Sequence, residues 1–257
     1  MTDNLIIKKE SLTAIADAIR KKTGKTDMMT VSQMKDEIES IEAGGGAVKF
    51  KDLRYFYYYG ARIDELPPQM LDTSECTNMY DMFYQCTITE APDLSGFNTS
   101  KVTNMESMFQ ACHKLLELDV SNFNTCNVKN MNNMFAFCRS LNTLDLSGFN
   151  TSNVTIMRSM FSSCSSLKTL DLSNFDTNKV TSMYAFIGKC TNLKDIYIKD
   201  SELNSDGKLK FKLPESGVFD QVRTNGGKIH LSKTLEDNYK SATNWSAYTD
   251  IMVFDQP

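Results

Sequence analysis

Cysteine returns every 26 residues at Cys86, Cys112, Cys138, Cys164 and Cys190, and methionine keeps the same interval at Met79, Met105, Met131, Met157 and Met183. So do Phe97, Phe123, Phe149 and Phe175, and also Thr99, Thr125, Thr151 and Thr177, each threonine being followed three residues later by Val102, Val128, Val154 or Val180. A fixed period of this length constrains the fold more than composition does. Units of one size with the same apolar positions bury them by stacking on one another. Four good copies are present, and a degenerate one precedes them in which Leu71, Thr73 and Cys76 hold the Phe, Thr and Val positions.

Each copy carries two periodicities. Leu144, Asp145, Leu146 and Ser147 alternate apolar with polar, which predicts a short strand with its leucines inward. In Val154, Met157, Met160, Phe161 and Cys164 the apolar offsets are three, six, seven and ten, which predicts one face of a short helix. A copy thus reads as strand, turn, short helix and a return through Leu167. Backbone ordering costs ~1–2 kcal/mol per residue, and one copy has too few apolar side chains to offset it. The copies are therefore expected as an array with a cap at each end, its strands forming a parallel sheet with rungs ~4.8 Å apart.

The repeated LDLSxFxTxxVxxMxxMFxxC resembles the BspA-type leucine-rich repeat of bacterial surface proteins, over residues 66–198. The resemblance implies an α/β fold, a right-handed leucine-rich-repeat solenoid used for binding and without catalysis. Two departures fit terminal rungs: Phe186 and Ile187 replace the Met-Phe pair in the last copy, and Pro67 and Pro68 stand near the strand position of the first.

The flanks differ in kind. In residues 1–42, Leu12, Ile15, Ala16 and Ile19 form one amphipathic stripe and Val31, Met34, Ile38 and Ile41 a second, with Thr30 and Gln33 spaced as a capping box. A helical hairpin turning at KTGKTD is expected, joined by the glycine-rich linker 43–47. SLTAIADAIRKKTGKTDMMTVSQMKDEIESI is similar to modules at the front of tail and structural proteins of phages and prophages of Gram-positive bacteria. That resemblance implies attachment to a virion or tail protein through residues 1–42. Residues 48–65 read as N-terminal cap strands, with the run Tyr55, Phe56, Tyr57, Tyr58 and Tyr59 alternating between a packed and an exposed face. Residues 199–257 read as a C-terminal cap. GKLKFKLPE is patterned as a guarded edge strand, Asn225 and Gly226 mark a hairpin turn between VFDQVR and KIHL, and Leu235, Tyr239, Trp245 and Tyr248 are near helical spacing.

Charge argues against a polyanion partner. The formal net charge is -4, and from Cys86 to Asp195 nine bases balance nine acids. Nucleic acid is therefore not expected as a partner. No stretch approaches the ~18 apolar residues of a membrane span, so membrane insertion is not expected. MTDNLIIKKE lacks the apolar run of a secretory signal. Assembly of a virion in the cytoplasm, with release by lysis, would account for that.

The chemistry-bearing residues are few. No catalytic group, metal set or cofactor is expected. His113 beside Cys112 lacks the further ligands that a zinc site needs. His230, between Ile229 and Leu231, reads as an outward strand residue. The cysteine ladder reads as reduced core packing, and not as a disulfide framework. Outward strand positions are the better candidates for ligand binding. Asp119, Asp145 and Asp171 should stand above one another, flanked by Glu117, Thr143 and Thr169 on one side and by Ser121, Ser147 and Ser173 on the other, with Tyr197 in the aspartate position of the last rung. Stacked carboxylates repel unless solvated, hydrogen-bonded or bridged by cations. Tyr58, in the aromatic run, is the second candidate.

The sequence thus reads as a non-enzymatic binding protein, tail-associated on a phage or prophage particle and recognising a host-surface glycan or protein. The competing readings are a bacterial cell-surface adhesin without its leader and an intracellular protein-binding inhibitor or scaffold. The helical front is compatible with a homo-oligomer.

Overall fold

A computed structural model describes residues 51–54, 56–57, 71–200 and 202–256. Its regular core is a four-stranded parallel sheet in the order β1-β2-β3-β4, formed by β1 (Thr169–Asp171), β2 (Asp195–Ile198), β3 (Lys228–Ser232) and β4 (Met252–Asp255). Two short helices, α1 (Asp220–Thr224) and α2 (Glu236–Ser241), and two 3-10 turns, Lys233–Leu235 and Ser246–Tyr248, complete the described elements. This content is compatible with the α/β class.

Ahead of the sheet, successive copies join through parallel bridges at Asp52–Asn78, Asn78–Asn104, Asn104–Asn130, Asn130–Ile156 and Ile156–Ser182. The segment from Met157 to Cys164 is not helical, contrary to its apolar spacing. Ser159 and Ser163 have left-handed backbones, as do Asp81, Gln85, Ser107, Ala111, Asn133, Phe137, Ala185 and Lys189 at equivalent positions. Every second amide therefore turns outward: Met157, Ser159, Phe161 and Ser163 donate to Ser182, Tyr184, Phe186 and Gly188 of the next copy. The amides between them, of Met160, Ser162 and Cys164, bond locally to Met157, Ser159 and Phe161. Helix-like offsets survive because consecutive tight turns also return an apolar side chain to the core every three or four residues.

Leu144–Ser147 likewise carries no strand; regular strand geometry begins at β1 and continues at β2, 26 residues on. An Asx turn ends each such segment early, as when Ser147 N–H donates to Asp145 Oδ1 at 2.8 Å.

The buried columns explain the repeated residue types. Phe83, Phe109, Phe135 and Phe161 stack at centroid separations of 5.1, 5.8 and 5.7 Å. Tyr57, fully buried, continues this stack at 5.0 Å from Phe83. Residues 51–57 thus form one more degenerate copy, with Leu53 and Tyr57 in the Met79 and Phe83 positions and Leu53 N–H bonded to Asn78 O. The strand reading of this segment is corrected by the burial of adjacent Phe56 and Tyr57 together. Tyr58 lies outside the described residues, as do residues 1–42.

Four thiols of the ladder lie against the carbonyl of a phenylalanine in the copy before: Cys112 Sγ on Phe83 O, Cys138 on Phe109 O, Cys164 on Phe135 O and Cys190 on Phe161 O at 3.1, 3.1, 3.0 and 2.9 Å, and Cys86 lies likewise on Tyr57 O. A small side chain with a weak donor suits that place, and all seven cysteines are free. The buried threonines act as brackets. Thr125 Oγ1 donates to Asn150 O at 2.9 Å and accepts Asn150 N–H at 2.8 Å, and Thr151 does the same with Asp176.

At the C-terminal end, side chains replace the missing next copy. Glu215 Oε1 accepts Met183 N–H at 2.6 Å, Gln221 Oε1 accepts Lys189 N–H at 3.0 Å, and Asn225 Nδ2 donates to Cys190 O and Leu193 O. Thr177 brackets Lys212. The expected edge strand at GKLKFKLPE and the hairpin at Asn225–Gly226 are both corrected. The former has no strand, VFDQVR contains α1, and β3 runs parallel to β2 instead of folding back. Gly226 has a φ of 70°, and Gly227 passes so close to the Lys194 carbonyl that any Cβ would overlap it. Leu235, Tyr239, Trp245 and Tyr248 are all buried, as their spacing predicts.

Candidate functional site

The aspartates of the row each spend a carboxylate oxygen on a local amide. Asp119 accepts Ser121 N–H, Asp145 accepts Ser147 N–H and Asp171 accepts Ser173 N–H, at 2.9, 2.8 and 2.9 Å. Hydrogen bonds from the Ser121 side chain and amide lower the Asp119 pKa, and those from the Ser147 amide and side chain lower that of Asp145 against a small repulsion from Asp119. These carboxylates are turn caps on an exposed face. Thr143 and Thr169 are exposed beside them.

The row ends in a different constellation. Asp171 pairs in register with Tyr197, and Tyr197 with His230. The Tyr197 and His230 rings stack at 4.5 Å and 21°. His230 Nε2 lies 3.1 Å from Asp195 Oδ1 and its Nδ1 3.3 Å from Asp255 Oδ2. Lys199 Nζ sits 5.1 Å from the Tyr197 ring centroid. Sequence reasoning placed Tyr197 and an outward His230 but missed both carboxylates, which are brought in by strand register from positions 35 and 25 residues away.

Behind the sheet, Tyr239 donates to Asp200 Oδ1, while Asp200 Oδ2 is buried without a partner. Burial raises the Asp200 pKa, and the bond from Tyr239 opposes that rise only in part.

The remaining titratable candidates are quiet. His113 Nδ1 is 2.9 Å from Phe137 O, which fixes it as a donor, and Cys112 Sγ turns inward to Phe83 O. A hydrogen bond with Cys138, together with burial, raises the Cys112 thiol well above its ordinary range, and burial does the same to Cys164 and pushes Cys190 up to about 12. Among the described residues no three His, Cys, Asp or Glu side chains converge on a metal position, and no helix is long and apolar enough to cross a membrane.

The copies also serve as their own comparison. Core positions repeat, and so does the aspartate row, whereas one outward position holds Tyr80, Glu106, Asn132, Arg158 and Tyr184 in turn. Carbonyls at this position take amides from the preceding copy, Asp81 on Glu106 and Ser159 on Tyr184 among them, so the stripe is evenly spaced. Glu106 accepts Nδ2 of Asn130 and Asn132 at 2.8 and 3.0 Å. Arg158 Nε is held 3.0 Å from Ser182 Oγ, which itself donates to Glu215. Tyr184 is 70% exposed. Sequence reasoning missed this stripe, although comparing the copies position by position would have found it.

Residues 77–200 match a family model described as "Mycoplasma protein of unknown function, DUF285". The match runs from Thr77 through β2 and leaves out the copy at residues 51–57. Comparison with curated proteins gives no match.

Proposed function

We propose that the described region is a right-handed, BspA-like leucine-rich-repeat solenoid acting as a non-enzymatic binding module. On this reading the chain is a tail-associated protein of a phage or prophage particle, with residues 1–42 as its attachment module and a host-surface glycan or protein as its target.

The observation that carries the binding reading is the contrast between repeated and varied positions. Residues with a structural duty recur: phenylalanine stacks, thiols cover carbonyls, threonines bracket neighbours and aspartates cap turns. The outward stripe Tyr80, Glu106, Asn132, Arg158 and Tyr184, half-buried at its first three positions and exposed at Arg158 and Tyr184, has no such uniform duty and changes chemistry at each step. A rigid scaffold with varied outward positions suits recognition. Tyrosine and arginine are the residue types that anchor interfaces, and Arg158 is already positioned by Ser182. The particle assignment rests on the resemblance of residues 11–41 to phage modules.

The test is to purify particles from a lysogen encoding the chain and probe them with antibody against it. Co-purification with particles, and inhibition of adsorption by the same antibody, support the reading. Absence from particles together with an unchanged adsorption rate would overturn it.

A further inference from the structure

Three strands of the C-terminal sheet meet over one imidazole. His230 on β3 faces Asp195 of β2 through Nε2 at 3.1 Å and Asp255 of β4 through Nδ1 at 3.3 Å. Neutral imidazole has a single N–H, so it donates to one carboxylate and presents a lone pair to the other. Only the imidazolium donates to both. Strands β2 and β4 do not pair with each other, because β3 lies between them. We propose that His230 is a pH-operated clasp: in its doubly protonated form it ties the edge strand β4 to β2 across β3, and deprotonation loosens that edge.

The surroundings make the clasp responsive. On β2, Asp195 and Tyr197 face the ring, with Tyr197 stacked on it, and Lys199, just beyond β2, lies over the Tyr197 ring. On β4, Asp255 faces it, and Val253, its register partner, carries no charge. Lys228 is on its own strand and exposed, and Asp171 of β1, in register with Tyr197, is engaged by Ser173 N–H. Lys199 Nζ, 3.9 Å from Asp255, retains part of the attraction once the ring is neutral, so the edge loosens without detaching. The other end of β4 is anchored by Arg223 on Asp250 at 2.8 Å. Loosening is therefore concentrated at Phe254 and Asp255, where β4 has no further strand partner among the described residues.

A second contact has the same sign. Asp200, just beyond β2, holds Tyr239 of α2, and burial raises its pKa. A carboxyl raised in the fold stabilises below its unfolded pKa, and that contribution is lost as pH rises through the folded value. The second hydrogen bond from His230 likewise exists only while the ring carries both protons. Carboxylates with lowered pKa, such as Asp119, Asp145 and Glu236, have the opposite sign, but their contribution changes only as pH falls below the ordinary carboxylate range.

The experiment is hydrogen exchange on the full chain at about pH 5.5 and pH 8, corrected for intrinsic exchange rates, together with ¹⁵N spectra of the two histidines. The expected result is that both His230 ring nitrogens carry protons in acid and that protection of β4 falls roughly tenfold at the higher pH relative to the copies before β1, for one charge-assisted bond at a partly exposed site. His230→Gln should remove this pH dependence. Should that variant fail to fold, Asp255→Asn, which keeps the shape and removes the charge, should reduce it instead. Equal pH dependence in wild type and the folded variant, or ring titration with no change in β4 protection, would overturn the clasp.

Discussion

Replacing Thr125 by valine separates the bracket from ordinary packing. Valine has nearly the same volume and is more apolar, so burial alone predicts no loss. Thr125 is fully buried, however, and its hydroxyl bonds both Asn150 N–H and Asn150 O. Thr125→Val removes two hydrogen bonds, each worth about 0.5–1.5 kcal/mol net, and leaves a donor and an acceptor between copies without their partner. A loss of about 2–4 kcal/mol follows, nearer the lower end because the Asn150 side chain is exposed and water can reach part of its backbone. Thr125→Ser keeps the hydroxyl and removes one methyl, at about 1 kcal/mol. Urea unfolding followed by circular dichroism should therefore rank wild type above serine and serine above valine. Valine as stable as wild type, or serine less stable than valine, would refute the bracket.

Other consequences are equally direct. In the native protein one thiol, Cys126, which alone of the cysteines is partly exposed, should react rapidly with a chromogenic disulfide reagent at pH 8, and all seven should react after denaturation; two or more fast thiols would contradict the buried ladder. Gly227→Ala forces a Cβ into the Lys194 carbonyl and should cost more than about 2 kcal/mol, whereas Gly148→Ala, whose Cβ would lie 2.8 Å from Ser121 O, should cost about 1–2 kcal/mol, both read as shifts in urea midpoint. Because the pKa values of Asp93, Asp119 and Asp145 are lowered, their contribution is present above the ordinary carboxylate range and lost as pH falls through the folded values. Their combined change to asparagine, which can still cap the turn, should flatten acid unfolding while leaving neutral stability nearly unchanged.

The period, the core columns and the burial of the cysteines were legible in the sequence because each is a one-dimensional pattern of residue type. The local backbone was not. Apolar spacing around Met157 and Phe161 satisfies a helix and a run of tight turns alike, and what decides between them is the next copy, which takes alternate amides. Left-handed positions at Ala111 and Phe137 carry no glycine or asparagine to announce them. The early copy at residues 51–57 shares only Leu53, Phe56 and Tyr57 with the core pattern, so its register showed only through the ring stack on Phe83. At the candidate site the aspartate row was visible and its turn-capping duty was not, since a carboxylate two residues before a serine can serve a ligand or its own chain. The Asp195, His230 and Asp255 constellation depends on strand register across 35 and 25 residues, which no local spacing encodes.

Staining of candidate Gram-positive host cells by the labelled full chain tests the binding account most directly, with two variants alongside the wild type. Wild-type chain should stain a host, Arg158→Ala with Tyr184→Ala should reduce that staining at least tenfold, and Asp119→Asn with Asp145→Asn and Asp171→Asn should leave it within about twofold, as expected when two interface anchors are removed and the turn caps are kept. If no host is stained, or if the aspartate variant loses binding while the Arg158 and Tyr184 variant keeps it, the varied stripe is not the recognition face.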